Sequence, residues 1–180
     1  VEFFFLVSGY LMAVSALRYS NKDVGVDTVN FIRRKICSLM PNFLIAWMLG
    51  FILLLLRYKN FSIHFILREF LDCIWELLFL SMAGFGQGNV NGVNWYISAM
   101  LLSMAILYPV CKKHFSYFTR VLAPAIAIFI LGFFSYNYES MLQKDLYIGF
   151  VYKGLLRAIA MISLGASCYN VVSVLKRKNM

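Results

Sequence analysis

Residues 39–56 read LMPNFLIAWMLGFILLLL, without a single charged side chain. A helix that crosses lipid needs about 20 mostly apolar residues at about 1.5 Å of rise each, and this stretch nearly supplies them unaided. Pro41 falls where such a helix would begin, in the first turn, where a missing N–H does least harm. Outward from it, the same criterion picks out Val1–Leu17, Val93–Val110, Val121–Tyr136 and Leu155–Leu175. The last carries Arg157 near its start, where a long side chain can snorkel to the headgroups. Composition agrees: 62% of the 180 residues are hydrophobic and mean hydropathy is +0.75, more apolar surface than a soluble domain of this size could hide. The fold class expected is all-α, a multi-pass transmembrane helix bundle with about five spans. No repeat, low-complexity tract or linker divides residues 1–180, so they read as one membrane domain.

The segment Phe65–Phe85 is apolar but contains Arg68, Glu69, Asp72 and Glu76. Arg68, Asp72 and Glu76 recur at i, i+4 and i+8, with Ile66, Phe70, Leu71, Ile74, Leu77 and Leu78 assigned to the other side. Each charge at mid-bilayer would cost about 2.5 to 3.5 kcal/mol, so an amphipathic interfacial or re-entrant helix is expected. The cations support that reading. Without a span there, the blocks Arg18/Lys22/Arg33/Arg34/Lys35, Lys112/Lys113/Arg120 and Lys176/Arg177/Lys178 share one side, which the positive-inside bias makes cytoplasmic. The formal charge of +9 thus comes from blocks beside apolar runs rather than from one basic face, and nucleic acid is not an expected partner. Gly84–Asn94, GFGQGNVNGVN, has the composition of a tight, irregular connection.

Three stretches carry chemistry. VEFFFLVSGYLM places Glu2 at the head of an intramembrane run and breaks it with Ser8-Gly9, a hydroxyl beside a site of close helix approach. TVNFIRRKICSLMPNFLIAW sets Arg33, Arg34 and Lys35 just ahead of Pro41, where cations could hold phosphates or simply anchor the inner leaflet. NWYISAMLLSMAILYP offers Trp95, Tyr96 and Ser98 as hydrogen-bond donors, although aromatic residues at a helix end also serve as interfacial anchors. In this order the three resemble the signatures of the acyltransferase 3 family, integral membrane O-acyltransferases, over about residues 1–110. Two departures stand out. Lys35 and Ser38 occupy the places of the family's usual pair of Arg ahead of the Pro, and Met100 stands where many members have a Glu.

The resemblance implies transfer of an acetyl or other short acyl group from acyl-CoA to a hydroxyl of a cell-surface polysaccharide or lipid-linked glycan, in a bacterial cytoplasmic membrane. It implies Arg33, Arg34 and Lys35 as donor-binding candidates, and Glu2, Ser8, Trp95, Tyr96 and Ser98 as acceptor or oxyanion candidates. It also places a general-base His in a helix ahead of Val1. His64 and His114, each beside cations in expected headgroup regions, do not fit that role, and no Ser-His-Asp set or GxSxG turn replaces it. The chain opens inside a hydrophobic run with no Met or signal-like n-region, so an internal fragment, inactive alone, is expected. Cys37, Cys73, Cys111 and Cys168 are scattered, and neither a disulfide framework, a metal site nor a bound cofactor is expected. Two other classes fit the residues: a non-catalytic transporter or flippase whose charged 65–85 segment lines a path, and a structural or receptor-like protein whose basic loops bind anionic lipid.

Overall fold

A computed structural model describes residues 1–18, 23–58, 62–84, 94–138, 146–149 and 151–178, with residues 176–178 described by backbone alone. Lys22, Lys59 and Lys144, the side chains of Lys176, Arg177 and Lys178, and most of the Gly84–Asn94 connection lie outside the described residues. The architecture is helical throughout: α1 (Glu2–Arg18), α2 (Val24–Tyr58), α3 (Ile63–Leu77), α4 (Trp95–Lys113), α5 (Phe115–Asn137) and α6 (Lys153–Lys178). A π-type turn over Phe118–Leu122 interrupts α5 just before Pro124, which lacks the N–H that regular helix would use. A two-residue hairpin, β1 (Tyr147–Ile148) and β2 (Val151–Tyr152), leads into α6 and turns at Gly149, whose φ of +66° suits glycine. Helices α2, α4, α5 and α6 are long and apolar enough to cross a membrane. The 17-residue α1 is shorter and runs beside two of them.

Three parallel helices form the core. Phe5 meets Trp95, Ser8 meets Met100 and the carbonyl of Ala16 meets Lys112, so α1 and α4 run the same way in step. Helix α6 joins them with its start at Glu2 and its later Tyr169 beside Tyr10. The approach of α1 to α6 is as close as backbone allows. A Cβ on Gly9 would strike the carbonyl of Ile162, and one on Gly165 would strike the carbonyl of Leu6. Each glycine thus faces the residue three positions before the other, the reciprocal geometry of small-residue packing in membranes. Helix α5 returns antiparallel along α6, with Phe115 against Tyr169 and Phe134 and Tyr138 against Lys153.

Four expectations need correction. First, Pro41 does not open a helix. It lies midway along the continuous α2, so the cations ahead of it belong to that helix rather than to a loop. Helix α2 runs antiparallel to α4, with Asp27 opposite Lys112, Phe31 opposite Tyr108 and Phe43 against the turn at Phe79. At 35 residues it is about 50 Å long, and its last turns continue past Trp95 with Trp47 and Phe51 packed on Phe70 of α3. Second, the spans at 121–136 and 155–175 begin earlier, at Phe115 and Lys153, because the cations near their starts do not end the helices. Third, Glu76 is buried while Arg68 and Asp72 are exposed. Each i+4 step advances the helix face by about 40°, so by i+8 the line of charges has turned inward. Fourth, Arg157 does not snorkel.

Candidate functional site

The first turns of α1, α4 and α6 converge at one end of the core. Arg157, 5% exposed, turns inward and places its guanidinium 2.7 Å from a carboxylate oxygen of Glu2, which is itself half-exposed. The same guanidinium lies over the indole of Trp95, 5.3 Å from the ring centroid, within cation–π range. Trp95 is buried and meets Phe5 edge-on. One turn before Arg157, the fully buried Lys153 sets its ammonium 4.0 Å from the Tyr138 ring centroid and 5.5 Å from that of Phe134. Three parallel helix N-termini point their positive dipole ends here, and Glu2 in the first turn of α1 complements them. The mouth is aromatic. Tyr96 stacks with the exposed Phe4, ring centroids 6.3 Å apart and planes 29° from parallel.

Of the residues singled out in sequence, Glu2, Trp95 and Tyr96 meet at this end. Ser8 lies two turns along α1 and donates its hydroxyl to the sulfur of Met100 at 3.2 Å. Ser98 is engaged elsewhere: its hydroxyl donates to the carbonyl of Phe79 at 2.7 Å and accepts the N–H of Met82 at 3.1 Å. It pins the turn after α3, where Phe79 has φ +56°, unusual for a residue other than glycine. Arg157 and Lys153 are the residues that sequence reasoning missed. Their i, i+4 spacing on the stripe of small residues that includes Gly154 and Ala158 was the available signal that both face the bundle.

Arg33, Arg34 and Lys35 are not part of this cluster. Counting along the antiparallel pairing, Arg34 lies level with Ala105, ten residues from Trp95 on α4 and hence about 15 Å from it along the axis. Arg33 and Arg34 are exposed and Lys35 is half-buried. They are set about 10 Å in from Asp27 and about 6 to 9 Å ahead of the uncharged stretch 39–56 of the same helix. His64 and His114 are exposed, and among the described residues no group of His, Cys, Asp and Glu could hold a metal ion.

Comparison with curated proteins gives no match, and comparison with solved structures gives none either. A family model described as an acyltransferase domain, that of acyltransferase 3, matches residues 1–178 and so extends the resemblance from Tyr108-Pro109 through α5 and α6. Covering nearly every residue and a membrane helix bundle alike, that match shows that the chain belongs to the acyltransferase 3 family of integral membrane acyltransferases.

Proposed function

We propose that the protein moves an acetyl or other short acyl group from acyl-CoA to a hydroxyl of a cell-surface polysaccharide or lipid-linked glycan in a bacterial cytoplasmic membrane. The observation that carries this reading is the separation of two unlike sites along one core. The exposed Arg33 and Arg34 and the half-buried Lys35 stand on α2 just ahead of its uncharged stretch, and a charged, aromatic mouth lies about 15 Å away at the first turns of α1, α4 and α6. Cations at the edge of an apolar helix stretch can reach a ligand in the water phase, and guanidinium groups suit the phosphates of a nucleotide-bearing donor. At the mouth, Arg157 and the three helix N-termini favour negative charge, as develops on the acyl carbonyl oxygen when a hydroxyl attacks the acyl carbon. Glu2, Trp95 and Tyr96 meet at that mouth, and in this reading they orient the acceptor. Ser8 lies deeper, and Ser98 acts through the turn that it holds. The family resemblance assigns the general base to a His outside these residues, and the Arg33 to Lys35 end is the cytoplasmic one.

The transport alternative has less support, since Arg68 and Asp72 of the charged α3 face outward on the flank of α2 rather than into the core. Mass analysis of cell-surface glycans with and without the full-length gene tests the proposal. Loss of an acyl mass increment on deletion is expected, and an unchanged glycan profile overturns it. Binding of acetyl-CoA to the purified full-length protein should saturate and should be lost when Arg33, Arg34 and Lys35 are all changed to Gln.

A further inference from the structure

The geometry points to a two-rung clasp between α2 and α4 that sets which of the α2 cations faces the donor, with Asp27 and Lys112 as positioning residues rather than part of the phosphate grip. The inference rests on the proposed binding of acyl-CoA at α2. Asp27 is 2% exposed, and its carboxylate lies 3.2 Å from the ammonium of Lys112. The same ammonium donates to the carbonyl of Ala16 at 2.8 Å, in the last turn of α1, where helix carbonyls lack intrahelical partners. One turn along both helices, Phe31 stacks face to face on the fully buried Tyr108, with centroids 4.2 Å apart and planes 7° from parallel. Two rungs at i, i+4 on each helix fix both the register and the rotation of α2, which one rung could not do.

Rotation matters because the three cations are consecutive. Neighbouring side chains on a helix are about 100° apart, so Arg33, Arg34 and Lys35 fan around α2 and cannot all meet one ligand. Arg34, three residues after Phe31 and seven after Asp27, shares the clasp side and emerges beside α4. Arg33 lies on one flank, and the half-buried Lys35 lies on the other. A turn of α2 by one residue would exchange their places. Lys112 itself, with its side chain 11% exposed and held by Asp27 and Ala16, contributes geometry.

The test uses the purified full-length protein in lipid nanodiscs with acetyl-CoA as donor. Lys112→Met and Asp27→Asn are expected to raise the donor KM by about tenfold while kcat at saturating donor stays within about twofold, and Lys112→Arg, which keeps both contacts, should restore the donor KM. An unchanged donor KM in both variants, or a fall in kcat at unchanged KM, overturns the clasp. So does loss of folded protein in both the isosteric Asp27→Asn and Lys112→Met, which would assign the pair to stability alone. The triple Arg33, Arg34 and Lys35 to Gln variant separates the two ideas. If it leaves acetyl-CoA binding intact, the donor reading fails. If it abolishes binding while Lys112→Met changes nothing, only the clasp fails.

Discussion

At Ser98 one hydroxyl satisfies two backbone groups of the turn after α3, the carbonyl of Phe79 and the N–H of Met82 in the first turn of the short 3-10 helix Ser81–Ala83. Removing one partner of a buried hydrogen bond leaves the other to carry its desolvation cost, about 1–3 kcal/mol. Ser98→Ala is therefore expected to destabilise the protein by about 2 kcal/mol, read as a lower midpoint of thermal unfolding in detergent, with Ser98→Thr closer to wild type. The ion pair at the mouth should respond unequally to loss of either side. Arg157 is buried and Glu2 is half-exposed, so Glu2→Gln takes a carboxylate from a buried cation, whereas Arg157→Met leaves a carboxylate that water can reach. About 1–3 kcal/mol is expected for the first and about 1 kcal/mol or less for the second, because an apolar group of similar length replaces a buried charge. Equal losses in unfolding measurements on the two variants would contradict this asymmetry.

Helices α1 and α6 show how far an element can be read from sequence and where that reading stops. Ser8-Gly9 marks a close-approach site within one stretch of seventeen residues, but nothing local says which helix approaches, and the answer lies at Gly165. Gly9→Ala is expected to force the helices apart against a backbone carbonyl and to cost about 1–3 kcal/mol or more, as overpacking does. Gly132, on α5, has open space around it, so Gly132→Ala should be neutral or stabilising by about 0.5–1 kcal/mol. A Gly9→Ala protein as stable as Gly132→Ala would remove the close α1–α6 approach. Apolar length made the spans legible, since it is a local quantity. The continuity of α2 was not legible, because a proline after a basic block looks the same at a helix start as in a helix whose neighbours tolerate the lost hydrogen bond. Arg157 was misread for a related reason. A cation one turn inside a helix can reach the headgroups or the bundle, and the choice is made by Glu2, 155 positions away in sequence.

For the molecule as a whole, sidedness follows from the directions in which the helices pack, without appeal to the positive-inside bias. The parallel packing of α4 with α1 requires that the chain between them cross once, and α2 makes that crossing, so α3 cannot be a second one. Arg18, Arg33, Arg34, Lys35, Lys112, Lys113 and Arg120 then fall in one half of the bundle, and the distribution reproduces the bias that sequence charge alone suggested. With that half cytoplasmic, a membrane-impermeant maleimide applied to intact cells should label a cysteine at His64, at the exposed start of α3, and should not label one at Ser116, just after α4. In inverted vesicles the pattern should reverse, and labelling of both positions from the same side would mean that α3 crosses after all. The native thiols provide a control. Cys37 is exposed, whereas Cys73 is buried, and burial, then Glu76, Glu69 and Asp72 nearby, push its thiol up to about 11. The thiolate is the reactive form, so Cys73 should stay unlabelled near neutral pH and gain reactivity only as the pH rises toward that value. Rapid modification of Cys73 at pH 7 would show that α3 leaves its place against α2, and the packing of Phe70 on Trp47 and Phe51 would have to be given up with it.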